Sequence, residues 1–161
     1  MVELSNDMPK TATEASAYIF SVKQPTLTDF KVMVLLEAAG QGFYEGLAAA
    51  APNEAIRALL AKSGQEEMGH AHRVSRVIKQ VFAQDFPVPE PADNPYYIRP
   101  EGLVVSAEML NGITQGEIGG EALYEGWANG IGDAEAARLL RQNGKEEGRH
   151  GERAQEAIAL L

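Results

Sequence analysis

Apolar residues recur along this chain at spacings of three and four over four long stretches, with polar residues between them. That period is typical of α-helices with one buried face. We predict long helices over about 26–51, 53–83, 101–129 and 133–161, and a shorter helix over about 11–23. Asn53 and Asp133 suit the N-cap position, and Thr11 with Glu14 matches a capping box.

A proline-rich segment, residues 85–100, separates the second long helix from the third. It contains five prolines and cannot be helical throughout, because proline lacks the amide hydrogen that a helix needs. It could be a linker between domains or a crossover loop within one domain. We favour the crossover, since neither half alone would cover its apolar face. The sequence therefore predicts an all-α four-helix bundle over 26–161, preceded by an N-terminal segment over 1–25.

The two halves of the chain repeat each other without a gap at a shift of 80 residues. The matches include polar residues, which core packing alone does not require. Shared ancestry without a shared role is the alternative explanation. The matched pairs are Glu37 with Glu117, Gly40 with Gly120, Tyr44 with Tyr124, Gly64 with Gly144, Glu66 with Glu146, Glu67 with Glu147, His70 with His150 and Arg73 with Arg153.

Each half supplies one glutamate on its first helix and a Glu-x-x-His motif on its second. Residues three apart share one face of a helix, so both members of each motif can reach one point. The turns predicted at Pro52 and Gly132 lie midway between the single glutamate and the motif, about 15 residues from each, or roughly 22 Å along the bundle. The six candidate metal ligands are Glu37, Glu67, His70, Glu117, Glu147 and His150.

Four acids on the apolar stripes of a bundle need a compensating charge. Burying an unpaired carboxylate costs several kcal/mol, and two divalent cations would offset four negative charges. Four carboxylates and two imidazoles suit iron or manganese. A bridging carboxylate pair would hold two ions about 3.5–4 Å apart. The alternative is a loose bundle whose acids face water and bind nothing.

The paired Glu and Glu-x-x-His motifs resemble those of the ferritin-like di-iron carboxylate proteins, most closely the rubrerythrin or erythrin type. The resemblance implies a ferritin-like fold and two iron ions held by the six residues above, with manganese as the alternative. This chain differs from typical rubrerythrins in two respects. The chain has no cysteine and hence no cysteine-ligated rubredoxin module. The nearest candidate for a seventh carboxylate is Glu121, which matches Gln41 in the first half.

Several neighbouring side chains have two readings. Tyr44 and Tyr124 lie seven residues beyond a candidate ligand, so they share the inward face. They could donate hydrogen bonds to the ligands or pass electrons, or they could be ordinary core tyrosines. Arg73 and Arg153 could form ion pairs with residues that contact the candidate ligands, or their side chains could lie in solvent. We expect solvated side chains at Glu45, Glu66, Glu125 and Glu146.

Composition narrows the possible partners. The formal net charge of −9 disfavours binding to nucleic acid or to an anionic membrane. The absence of cysteine excludes disulfides, thiolate metal sites and cysteine nucleophiles. No apolar run is long enough for a membrane span, and residues 1–10 are too polar for a signal peptide. We therefore expect a cytoplasmic protein.

The resemblance implies an oxidoreductase that acts on peroxide or dioxygen, as a peroxidase or ferroxidase in the response to oxidative stress. Its partners would be the small oxidant and a separate electron donor, and the expected assembly is a homodimer. The alternatives are a non-catalytic iron-binding or storage protein, a di-manganese enzyme of the catalase type, and a helical interaction module without metal.

Overall fold

The computed structural model describes residues 1–161, which form five α-helices and no strand. The prediction of an all-α bundle with a short N-terminal helix is confirmed. A single 3₁₀ turn, Pro91–Asp93, interrupts the proline-rich crossover. The helices are α1 (Ala12–Ile19), α2 (Leu27–Ala50), α3 (Glu54–Phe82), α4 (Ala107–Gly130) and α5 (Ala134–Ala159).

The helices begin at residues whose side chains accept a hydrogen bond from the first turn. The capping box predicted at Thr11 and Glu14 is present. The side chains of Asn53 and Asp133 accept from backbone amides at 3.0 and 2.8 Å, as predicted. The predicted start of the third long helix, at residue 101, is wrong. Ser106 caps α4 by accepting from a backbone amide at 3.2 Å, and residues 101–105 are not helical.

The bundle consists of two hairpins, α2–α3 and α4–α5, that meet mainly through α3 and α5. The helices α2 and α4 lie apart, and none of their Cα atoms approach within 8 Å of each other. The short helix α1 packs on α2, where it buries Ala15 and Ile19. No helix combines the length and the apolar character needed to cross a membrane.

Two apolar clusters occupy the two ends of the bundle. The larger contains 20 buried residues and includes Phe30 and Trp127, whose rings meet edge to face with centroids 5.1 Å apart. The smaller contains nine and includes Leu47, Leu60 and Leu110. Along α3, α4 and α5, the predicted ligands fall between the residues of these two clusters, and on α2 Glu37 lies at the end of the larger cluster that faces the smaller one. The fold therefore places the glutamates and histidines in one polar layer between two apolar ones.

The crossover packs on α2 and leaves α4 uncovered. The buried side chain of Asn94 donates a hydrogen bond to the carbonyl oxygen of Leu35 at 2.9 Å. Farther along, Pro100 approaches Gly46 so closely that a Cβ atom there would lie 2.6 Å from the Pro100 carbonyl oxygen. The corresponding residue of α4, Gly126, is exposed, with no atom within 4 Å of an added Cβ. Halves that match in sequence thus differ in burial.

This difference predicts opposite effects of one substitution at two matched positions. We expect Gly46→Ala to lower the free energy of unfolding by about 1–3 kcal/mol, because the backbone of the crossover must shift. We expect Gly126→Ala to raise it by about 0.5–1 kcal/mol, since alanine favours a helix interior over glycine. Denaturant unfolding of the metal-free protein measures both. Effects of the same sign would contradict this packing of the crossover.

Candidate metal centre

The six predicted ligand side chains come together in the polar layer. Each Glu-x-x-His motif presents both side chains from one face of its helix, and α2 and α4 each add one glutamate. These side chains form two groups of four. Within each group, every residue offers one potential ligand atom, and these four atoms all lie within 4.8 Å of one another. One group is Glu37, Glu67, His70 and Glu147, and the other is Glu67, Glu117, Glu147 and His150.

Two of the carboxylates, Glu67 and Glu147, belong to both groups. The two oxygens of Glu147 lie 3.3 Å from Nδ1 of His70 and 3.4 Å from Nδ1 of His150. Those of Glu67 lie 3.8 and 3.2 Å from the same two atoms. Each of these carboxylates therefore directs one oxygen to each histidine, which is the arrangement that a carboxylate bridging two ions requires.

The histidines direct Nδ1 into the cluster. Their outer nitrogens, Nε2, lie 3.1 Å from the carboxylates of Glu146 for His70 and Glu66 for His150. An Nε2 that donates to a carboxylate leaves Nδ1 with a free lone pair in the neutral ring. Nδ1 of His150 is buried and has no hydrogen-bond partner. A buried nitrogen of this kind, surrounded by carboxylates, has the chemistry of a metal ligand, so the residues fit a metal site.

The two halves orient each other's histidines. Glu146 of α5 contacts His70 of α3 and accepts a hydrogen bond from Arg73. In the matched arrangement, Arg153 donates to Glu66 at 2.8 and 2.9 Å, and Glu66 contacts His150.

The prediction that Glu66 and Glu146 are solvated is therefore wrong, since their side chains are only 25 and 14 % exposed. Their repetition next to the candidate ligands Glu67 and Glu147 was the signal that could have identified them.

The tyrosines also connect the two halves. The hydroxyl of Tyr44 donates to Glu117, and that of Tyr124 donates to Glu37. Both rings are buried. The hydrogen bonds from these tyrosines to two candidate ligands are present, while a role of the tyrosines in metal binding or electron transfer stays a prediction.

The cluster holds protons when no metal is present. Burial and the charge of Glu147 raise the pKa of Glu67 well above its usual value. Burial, with a hydrogen bond that the protonated carboxyl of Glu117 donates to Glu147, raises the pKa of Glu117 to about 7. Burial opposes the charged form of His150, but its carboxylate neighbours outweigh burial and raise its pKa to about 12. Metal ions must displace these protons, so metal affinity should increase with pH.

The candidate for a seventh ligand, Glu121, lies elsewhere. It is exposed on α4 and belongs to neither group. Its carboxylate lies beside α5, where a Cβ atom on Gly148 would come within 2.8 Å of an Oε atom of Glu121. A ligand role for Glu121 stays a prediction that this position does not support.

The crossover topology and the paired Glu and Glu-x-x-His half-sites define a ferritin-like carboxylate protein. A family model described as Rubrerythrin matches residues 34–158, and the chain belongs to that family. The match spans all six side chains of the two groups. No curated protein and no solved structure matches the chain.

The cross-paired histidines predict a specific effect of Glu146→Gln. Glutamine keeps the size of the side chain but loses the charge that holds Nε2 of His70 and the guanidinium of Arg73. We expect metal affinity to fall about 10–100-fold, as is usual when the group behind a histidine ligand is lost. Competition with a chromophoric chelator measures this. The control is Glu152→Gln, an exposed position on the same helix. Equal affinities in the two variants would contradict the prediction.

Proposed function

We propose that the protein binds two iron ions in the polar layer and works as an oxidoreductase on peroxide or dioxygen. The observation that carries the proposal is the pair of groups sharing Glu67 and Glu147, each completed by one Nδ1 atom. Membership of the rubrerythrin family supports it. Sets of mostly oxygen donors with one imidazole each suit iron and manganese better than softer metals.

The ligand assignment follows from the two groups. Glu37 and His70 would hold one ion, Glu117 and His150 the other, and the two shared glutamates would contact both. When bound, such ions act as Lewis acids and exchange electrons with the oxidant.

Residues around the candidate ligands hold these ligands in position. Burial, together with nearby carboxylates, raises the pKa of Tyr44 and Tyr124 well above 10, so both hydroxyls stay protonated and keep orienting their carboxylates. Glu66 and Glu146 orient the imidazoles. The apolar clusters close the bundle at both ends of the polar layer. With no cysteine to hold a thiolate redox centre, the chain needs a separate electron donor, which is part of the proposal.

The proposal predicts that the iron-loaded protein consumes hydrogen peroxide, or oxidises ferrous iron with dioxygen, faster than the same concentration of free iron. Glu67→Gln should reduce both rates to the level of free iron, because it removes a carboxylate common to both groups. Glu152→Gln is the control and should behave as wild type.

If neither rate exceeds that of free iron, the proposal is wrong. If only the manganese-loaded protein consumes peroxide, the proposal of an iron enzyme gives way to that of a di-manganese enzyme of the catalase type.

A further inference from the structure

A cleft lies between α2 and α4, the two long helices whose backbones lie apart, and the short helix α1 and the crossover cover part of it. Its volume is about 800 Å³. Glu37, Glu67, Glu117 and Glu147 all line it, so the cleft leads from the surface to the proposed metal centre. Pockets of about 300–1,000 Å³ typically hold organic ligands.

The charges of the cleft are confined to its inner end. Of the 22 residues that line it, 12 are hydrophobic, and the four glutamates of the cluster are the only ones with charged side chains. Phe20, Phe43 and Ile98 line the cleft and are 43, 38 and 57 % exposed, so they mark its mouth. Exposed apolar side chains gathered at one place indicate a binding surface. The cleft thus suits a molecule with a polar head and an apolar chain.

The cleft is much larger than a peroxide needs. One water takes up about 30 Å³ of the liquid, so hydrogen peroxide, with two oxygen atoms, needs roughly twice that.

The sequence repeat breaks down at the cleft, since Leu36 of α2 matches Gly116 of α4 and both line the cleft. No atom lies within 4 Å of a Cβ added at Gly116. The missing side chain leaves space on the α4 wall that the α2 wall does not have.

We infer that the cleft binds organic hydroperoxides, with the apolar chain between α2 and α4 and the hydroperoxide group at the four carboxylates. This assignment rests on the proposed function, and it names the substrate class. Reduction breaks the O–O bond and consumes two electrons and two protons. It yields the alcohol, which keeps one oxygen, and water, which takes the other. The electrons come from the separate one-electron donor that the proposed function already requires, and the protons come from solvent.

Binding is tested without turnover, by calorimetry of the protein as purified with 1-butanol, 1-hexanol and 1-octanol, which are product analogues that cannot be reduced. We expect the affinity to rise by about fourfold for each added methylene, the ratio equivalent to about 0.8 kcal/mol per buried methylene. An affinity that does not depend on chain length would overturn the inference, even if no variant folds.

Two leucine substitutions locate the binding. Gly116→Leu adds a side chain at a residue that lines the cleft, and should weaken 1-octanol binding at least about tenfold, because the added carbons occupy the space of the chain. Gly112→Leu is the matched control, one turn away on the same helix, also open around its added Cβ and outside the cleft. It should leave binding unchanged. Equal losses in both variants would place the binding elsewhere.

Turnover then separates this inference from the proposed function. In the iron-loaded protein, kcat/KM should be higher for octyl hydroperoxide than for ethyl hydroperoxide, and Gly116→Leu should remove the difference. Consumption of hydrogen peroxide without any preference for the longer chain would overturn the inference alone. Alcohol binding without consumption of any peroxide would overturn the assignment of hydroperoxides as substrates, and it would overturn the proposed function as well if ferrous iron is not oxidised either.

Discussion

The constraint on which the structure depends is the burial of four carboxylates and two imidazoles in one layer of the bundle. Such groups are stable inside a protein only with charge compensation and complete hydrogen bonding. Two tyrosines hydrogen-bond to glutamates of the layer, and Glu66 and Glu146, each held by an arginine, contact its histidines. Nearly all these contacts run from one half of the chain to the other, so neither half forms a complete centre by itself.

The internal repeat gives the centre two equivalent ligand sets, but the surroundings are unequal. The crossover joins the halves only once, and it packs on α2 through Asn94 and Pro100. No second crossover exists to cover α4, so its outer face, which contains several glycines, stays exposed. The cleft between α2 and α4 follows from this single connection. The internal repeat therefore accounts for the two matching sets of candidate ligands, whereas the single crossover accounts for the unequal surroundings of α2 and α4.

The sequence predicted the part of the site that helical periodicity determines. The repeat, the i, i+3 motifs and the positions of Pro52 and Gly132 place all six candidate ligands at one depth, and the structure brings them together. Features that depend on how helices rotate and pair were missed. Residues one position before a ligand, such as Glu66, lie off the inward face on their own helix, but they contact the histidine of the neighbouring helix. Periodicity likewise brings Glu121 near the face of Glu117, yet the backbone of α4 packs closely only against α5, and Glu121 is exposed.

The central claim is that two metal ions compensate the charge of this layer. The most direct test is the metal content per chain of protein purified gently from its native cells, followed by a melting curve before and after chelation. The account predicts two iron ions per chain and a lower melting temperature once they are removed, because ions that bind only the folded state stabilise it. A protein that holds no transition metal, and whose melting temperature chelation does not change, would contradict the account.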